Sequence, residues 1–505
     1  MSSFDTDVII VGAGPTGLML AGELRLAGVD AVVLERLREP MKQSRALGFS
    51  ARTMEEFGQR GFLPEFGDLG VLPFGHFGGF PLDYTVVPGG NFGVRGVPQA
   101  LTESILTRWA SGLGADLRRG WELTGVTAAE DGVDAEFATP DGPRRLRGAY
   151  IVGCDGARSA VRRLSGIEFP GYDATLEMLM ADVTDADIRL RPTGELGDSG
   201  MVVVLPVGPN TARVVVYERG AGVRPTTDPP TFTEVADKLQ RVTGEDIRGG
   251  TPVWLSYFTD ASRQAAEYRK GRVFLAGDAA HIHMPIGAQG ISAGVGDAVN
   301  LGWKLAAQIH GHAPPGLLDT YHAERHPVGA RIVANTLAQR TLYLGGEELD
   351  PMREVFGELM AYEEVRKLLV GMVTGLDIRY DDGTGDHPLV GARLPDFDLT
   401  AGPDGNAPAP RAYQLLHAGR AVVIDLAGDA SVREAAAPWT DRIDVVTSTS
   451  RPDGALADVD AVLVRPDGYI GWIGSGGSGV SGAAGLPEAI TRWLGRPSES
   501  QQSAA

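Results

Sequence analysis

Short β-branched apolar runs, separated by glycine turns and by leucine- and alanine-rich helical stretches, set the rhythm of the N-terminal chain. Asp7–Val11 reads as a buried strand, Pro15–Ala27 as a helix and Ala31–Leu34 as a second strand. That succession is a βαβ unit. The stretch Phe74–Tyr84 then concentrates glycine and aromatics (Phe74, His76, Phe77, Phe80, Tyr84), which predicts a strand-and-loop excursion before helical and strand patterns resume from Thr102 to Val152. From Leu176 to Phe258 the runs are β-rich, as at Met201–Leu205 and Ala212–Tyr217, with a proline-rich turn at Pro225–Pro230. We read a mostly antiparallel domain inserted into the first.

Arg272–Ala276 is again a short buried strand, and Asp297–Ile309 is a strongly patterned helix, so the first domain is discontinuous. After Gly383–Pro410, loose in glycine, proline and aspartate, come strand candidates Ala421–Leu426 and Ala461–Val464 and a closing helix near Ala489–Leu494. The expected division is a first domain of residues 1–72, 96–172 and 268–375, a second of 73–95 and 173–267, a third of 393–497, and a disordered tail, 498–505. No internal repeat is visible.

The 505 residues, 43% hydrophobic and 22% charged, suit a folded chain of two or three units. A net charge of −19 disfavours nucleic acid as a partner. Cys154 is the single cysteine, which excludes an intrachain disulfide or a CxxC redox pair and suits a reducing cytosol. The N-terminus lacks a basic n-region and its apolar run is broken by glycines, so neither signal peptide nor membrane span is expected. A cytoplasmic enzyme, without membrane partners, is the expectation.

Chemistry enters at Gly12, Gly14 and Gly17, a GxGxxG lying between strand and helix, with Glu35 ending the next strand. Glycines let backbone amides and the positive helix end approach a pyrophosphate, and the Glu35 carboxylate can hold adenosine ribose hydroxyls. The acid fits FAD or NAD and disfavours NADP in this cleft. A second GxGxxG at Gly474, Gly476 and Gly479 follows a strand-like Tyr469–Ile473, but too little chain remains for another βαβ unit. We read it as a glycine/serine loop.

Two further segments separate FAD from NAD. Cys154-Asp155-Gly156-Ala157-Arg158-Ser159 and Gly277-Asp278-Ala279-Ala280-His281 each put an aspartate at a strand end, where it can accept from a ribityl chain that NAD lacks. Either aspartate alone could equally be a helix N-cap. His281 and His283 form an HxH with no third ligand in view, so a metal site is not expected.

The fingerprint, Asp155-Gly156 and Gly277-Asp278, in that order and spacing, resemble the class A flavoprotein monooxygenases of the para-hydroxybenzoate and phenol hydroxylase group. The closest resemblance is to bacterial hydroxylases of angucyclinone- or anthracycline-type polyketides. It is carried also by Ser44-Arg45-Ala46-Leu47-Gly48-Phe49, His76-Phe77-Gly78-Gly79, Val97-Pro98-Gln99 and Asp297-Ala298-Val299-Asn300-Leu301-Gly302-Trp303-Lys304. The resemblance implies an α/β fold: a Rossmann-like FAD-binding domain, an inserted β-rich substrate domain and a thioredoxin-like C-terminal domain. The last, with Cys154 the sole cysteine, would be structural or support a homodimer.

By the same resemblance Arg45 and Gln99 would touch the FAD pyrophosphate and ribityl region, Asp278 the ribityl hydroxyls, and Val126 the adenine side through its backbone. Pro15, Thr16, Arg36, Asp155 and Gly290 complete the expected cofactor set. Pro285–Ser292 would lie under the flavin, with amides of Ile291 and Ser292 at a helix start facing its negatively charged edge. Ser292 stands where the family usually has asparagine, and Ala288 where the polyketide subgroup has glycine. Candidate substrate walls are Phe80, Tyr217, Trp254 and Tyr257; His76, His281 or His283 could hold a phenolic oxygen.

The implied reaction is hydroxylation of a polycyclic aromatic substrate by molecular oxygen, driven by NADPH or NADH through a flavin C4a-hydroperoxide. The Pro285 carbonyl is the candidate acceptor for the hydroperoxide hydrogen. A Baeyer–Villiger oxygenase is the nearest rival, and a non-catalytic flavin-binding protein a remote one. None of the seven tryptophans forms the WxW pair of a flavin halogenase.

Overall fold

The computed structural model describes residues 4–68, 70–380, 387–399, 410–448, 452–474 and 482–498. The second GxGxxG beyond Gly474, half of the loose segment Gly383–Pro410 and nearly all of the tail lie outside them.

Five strands of the first domain run parallel, in the order Val273–Leu275, Gly142–Gly153, Thr6–Val11, Ala31–Glu35 and Asp116–Arg119. Val8–Val11, in the central strand, are buried on both faces of the sheet. The helices of this domain include α1 (Pro15–Leu26), which packs on the strands Thr6–Val11 and Ala31–Glu35, α2 (Ala51–Gln59), α3 (Gln99–Gly112), which packs on α1, and the short α4 (Ala160–Leu164), which packs on Gly142–Gly153. Gly142–Gly153 is far longer than the expected Tyr150–Val152, since its first half pairs antiparallel with Val133–Thr139 before its second half joins the parallel sheet. Polar residues on that exposed hairpin hide the strand from an apolar search.

The inserted domain is a five-stranded antiparallel sheet, in the order Arg191–Gly197, Gly200–Gly208, Thr211–Glu218, Glu177–Thr184, Thr251–Thr259. Strand alternation divides its two faces. Leu179, Ala181, Val183, Val214 and Val216 pack on Val235 and Leu239 of α5 (Phe232–Thr243). Met178, Met180, Val215 and Tyr217 face the other way, onto Met284 and Ile286.

The expected helix at Asp297 begins two turns earlier: α6 spans Gln289–Ile309. Gly290, Ser292, Gly294 and Gly296 conceal those turns, because glycine and serine are weak helix formers. Glycine is needed there by packing, since a Cβ on Gly294 would lie 2.2 Å from Thr16 Oγ1 where α6 crosses α1. Three further helices, absent from the reading of the sequence, follow: α7 (Asp319–Leu344), α8 (Asp350–Leu359) and α9 (Glu363–Thr374). Pro327 sits inside α7.

The third domain has a four-stranded sheet in the order Ile443–Thr447, Ala421–Asp425, Ala461–Val464, Ile470–Gly474, with the first pair parallel and the others antiparallel. With α10 (Ala430–Ala436) and α11 (Leu486–Leu494) this is the thioredoxin-like arrangement. Ile443–Thr447 escaped the sequence reading because Asp444 interrupts its apolar run. Trp439, Ile490 and Trp493 pack on Trp303 and Ala307 of α6.

Beside that apolar contact runs a buried polar seam. Asp467 Oδ2 accepts from Trp303 Nε1 (3.1 Å) and Asn300 Nδ2 (3.3 Å), and Arg465 binds both Asp467 and Glu324 (2.6 Å). Lys304 Nζ donates to Glu324 (2.7 Å). Burial would raise the Glu324 carboxyl, yet Arg465 and Lys304 hold it well below the usual range. Arg60, paired with Glu23 (2.6 Å), donates to the Pro466 carbonyl (2.8 Å), which fastens α2 to the same loop.

Candidate functional site

Register brings the site together. Val11 pairs with Gly153, and Gly153 with Leu275, so three parallel strands end level and their following loops converge at one sheet edge. In open α/β sheets ligands bind outside those carboxyl ends. Gly12 has φ +106°, and a Cβ there would lie 2.3 Å from the Cys154 carbonyl oxygen; one on Gly17 would lie 2.0 Å from the Gly12 oxygen. The first and third glycines are therefore required by the fold. Gly14 has open space where its Cβ would be and forms the N-cap of α1, leaving a clear approach to the helix start.

Glu35 stands beside this loop, its two carboxylate oxygens accepting from the Ala13 and Leu37 amides at 2.9 Å each. Each oxygen keeps a lone pair for a sugar hydroxyl. Arg36 is exposed, and so is Arg45, whose guanidinium makes no hydrogen bond among the described residues; the Arg45 carbonyl accepts from Arg213 (3.1 Å). Gln99 starts α3, accepts from the Ala46 amide (3.4 Å) and donates to Glu103 (2.8 Å), tying that loop to the helix. Val126 lies on Glu122–Ala128, opposite Ala135.

The two aspartates differ. Asp155 Oδ2 accepts from the Ala160 (2.6 Å) and Val161 (3.1 Å) amides at the start of α4, the capping role, while its buried Oδ1 has no partner among the described residues. Burial raises its carboxyl. Asp278 is exposed on the turn Gly277–Ala279. That turn is pinned from behind by Asp297, fully buried in α6, whose Oδ2 accepts from the Gly277 amide (2.9 Å) and faces His281 Nε2 (2.8 Å) while Oδ1 accepts from Arg325 (2.7 Å). Burial alone would raise Asp297; Arg325 and His281 hold it below the usual range. Sequence reasoning gave Asp297 no such role, although a carboxylate in an apolar helical run was the signal.

At the start of α6, Ala288 adopts φ +56°, the left-handed region that non-glycine residues rarely enter. Ser292 Oγ accepts from the Ser50 amide and lies 3.0 Å from Ser50 Oγ. Gly290 and Ile291 occupy the first turn, whose amides have no intrahelical acceptor, whereas the Ser292 amide, expected to face the ligand, makes the first bond of the helix, back to the carbonyl of the N-cap Ala288. Pro285 is exposed. His281 is buried against Asp297, as a structural hydrogen bonder. His283 Nδ1 lies 2.9 Å from the Met284 carbonyl, which only accepts, so Nδ1 carries the proton and Nε2 keeps its lone pair. Burial lowers His283, favouring that neutral form.

The candidate substrate walls do not all meet. Tyr217 and Trp254 lie with Met178, Met180 and Met201 on the sheet face turned to Met284 and Ile286. Tyr257 lies on the opposite face with the α5 cluster, its ring under Arg224 at 5.5 Å, because it is an odd number of residues from Trp254 on one strand. Phe258 takes the inner position. His76 and Phe80 belong to the hairpin Phe74–Phe77/Phe80–Asp83 and pack on Tyr343 (5.4 Å) and Phe356 (4.9 Å). Tyr343 joins that hairpin to the inner sheet face. No helix among the described residues is long and apolar enough to cross a membrane, and no group of their His, Cys, Asp and Glu side chains could hold a metal ion.

An open second glycine at a helix start, an acid beside it, an unmatched Asp155 oxygen and an exposed Asp278 on one sheet edge fit a phosphate–sugar–ribityl ligand such as FAD. The family model for the FAD binding domain matches residues 5–336, and that for the aromatic-ring hydroxylase C-terminal domain matches 387–497. Among solved structures, CabE, an aromatic hydroxylase from angucycline biosynthesis, superposes with a TM-score of 0.92 at 52% identity, over 98% of this chain and 100% of that one. A rifampicin monooxygenase of Streptomyces venezuelae is 43% identical, covering 92% of this chain and 95% of its own. The 12-dehydrotetracycline 5-monooxygenase/anhydrotetracycline 6-monooxygenase of Streptomyces rimosus is 41% identical over 97% of this chain and 99% of its own. The chain belongs to the FAD-binding aromatic-ring hydroxylase family and is a flavin-dependent monooxygenase.

Proposed function

We propose that the protein hydroxylates a polycyclic aromatic polyketide, with FAD as resident cofactor, NADPH or NADH as transient reductant and molecular oxygen as co-substrate. The observation that carries this reading is the meeting, at the start of α6, of the cofactor edge with the Met- and aromatic-lined face of the inserted sheet. Likeness to a monooxygenase of dehydrotetracycline and anhydrotetracycline and to an aromatic hydroxylase from angucycline biosynthesis supports the substrate class.

In this reading Gly12, Gly14, Pro15, Thr16 and Gly17 bind the pyrophosphate, Glu35 the ribose, and Asp278 with Arg45 and Gln99 the central part. Bound FAD supplies two-electron chemistry with the nicotinamide and activates oxygen, one atom of which goes to substrate and the other to water. The free amides of Gly290 and Ile291 stabilise negative charge at the ring edge. Met178, Met180, Tyr217, Trp254 and Met284 exclude water, which protects the reactive oxygen from loss as hydrogen peroxide. The carbonyl of Pro285, a residue exposed in the structure, accepts a hydrogen bond at the reaction centre. His283 Nε2, with its lone pair free, takes the proton from a substrate phenol.

The test is to purify the protein, check its flavin absorbance, and follow NAD(P)H consumption with polycyclic phenols under labelled oxygen gas. One labelled atom per coupled turnover, as a new hydroxyl, is expected. Label from water, or turnover without oxygen, overturns the reading; an oxygen inserted into a ring overturns hydroxylation in favour of Baeyer–Villiger oxygenation.

A further inference from the structure

Between α2, α6, α7 and α9 and the segment 375–380 lies a cavity of about 290 Å³, bordered at the start of α6 by Gln289 and Ser292. Val328, Ile332, Met372, Val373 and Ile378 make most of its wall apolar. The guanidinium groups at its border already have partners, in two cases through one oxygen of a carboxylate that borders the cavity itself. Arg325 binds Asp297 (2.7 Å) and Tyr380 Oη (2.9 Å), Arg331 binds Asp377 (2.5 Å), and Arg379 donates to the Val390 carbonyl (2.9 Å). Arg52 binds Glu55 at 3.0 Å, and its Nε lies 3.4 Å from Glu56 Oε1.

Acceptors are left over. Glu56 Oε2 and Asp377 Oδ1 both border the cavity, both are buried, and neither has a hydrogen-bond partner among the described residues. The Glu56 residue is only 3% exposed. Pro327, inside α7, has no N–H to give the Ala323 carbonyl one turn back, and these two residues border the same space. A buried carboxylate oxygen with no donor is costly, and a hydrated donor group or a cation removes that cost. The way in passes the Arg331–Asp377 pair, whose side chains are 40% and 27% exposed.

We propose that this cavity is a second ligand site, taking a small organic cation, an amine or amidinium on an apolar body. Its donors meet Glu56 and Asp377, and its body lies on the Val328, Ile332 and Val373 wall. The two carboxylates are not among the groups assigned to the cofactor, although Ser292 at the start of α6 borders this cavity too, which is why binding is to be compared with and without FAD.

Benzamidine is a suitable probe, titrated calorimetrically into the full-length protein with and without FAD, with benzyl alcohol and benzoate as neutral and anionic controls. Saturable one-to-one binding of benzamidine is expected, at least tenfold tighter than either control. Glu56→Gln should weaken it at least tenfold and Asp377→Asn severalfold; because Asp377 is partly exposed, the second variant serves if the first fails to fold. No saturable binding, equal binding of benzyl alcohol, or wild-type affinity in the folded variants overturns the proposal. Failure of hydroxylation with benzamidine binding intact would instead count only against the function proposed above.

Discussion

The two ends of α6 are built on opposite plans. At its start, first-turn amides, the exposed Asp278 and the open side of Gly14 leave hydrogen-bonding capacity for a ligand. Eight to fifteen residues along, Asp297, Asn300, Trp303 and Lys304 put their polar atoms into buried networks with Arg325, Glu324, Arg465 and Asp467. The difference separates binding from rigidity: unmatched groups belong where something arrives, and matched charges fix the helix that presents them.

The sharpest way to break this contrast is Asp467→Ala, which strips a buried partner from Arg465, Asn300 and Trp303. A loss of about 3–5 kcal/mol is expected in denaturant unfolding, with FAD affinity of the folded protein little changed. A loss below about 1 kcal/mol would mean that the seam is not what holds α6.

Glu56 stands between the two plans. Burial raises its carboxyl to about 7 against the attraction of Arg52 and Arg325, with Glu55, Arg60 and Tyr469 also facing it. The folded state thus binds the proton more tightly than the unfolded chain, so stability from this group is fully present below about pH 4.5 and declines as pH rises through about 7. The decline is about 3 kcal/mol. In Glu56→Gln, the difference in unfolding free energy between pH 4.5 and pH 7 should shrink by that amount; an unchanged slope would remove Glu56 as its source.

At the ligand end, Asp278→Ala should weaken FAD binding by about 1–3 kcal/mol, read as flavin fluorescence on titration. Stability without FAD should shift by less than about 0.5 kcal/mol, because the side chain is exposed. The smallest effect is expected from Ala288→Gly. Relief of left-handed strain, about 1–2 kcal/mol, is opposed by glycine's entropy loss of about 0.5–1 kcal/mol, so a net gain of about 0–1.5 kcal/mol should appear in thermal unfolding.

The same contrast explains what the sequence disclosed. The cofactor end is local: Gly12 to Gly17, Glu35 and the two Asp-containing turns carry their signal within a few residues. Their convergence needed only the inference that each ends a parallel strand. The seam is non-local, since Asp467 and Asn300 meet from distant parts of the chain and no spacing announces it. Tyr257 shows a third limit. The aromatic itself was visible, but which face it takes depends on pairing, and the register that pairs Leu179 with Tyr257 turns it toward α5. Asp155 was ambiguous in the sequence and is divided in the structure, one oxygen capping α4 and the other unmatched.

The lone thiol of Cys154 sits at the level strand ends, buried, where a Cβ on Gly17 would approach its own Cβ to 3.2 Å. Burial pushes its ionisation up, so no thiolate is available at the surface of the closed fold. A thiol reagent reaches it only during moments when the loop crossing comes apart, which makes its labelling rate a built-in clock for local opening. Slowing of that clock by a ligand, compared at matched reagent concentration, would measure in seconds how firmly the fingerprint loop is shut.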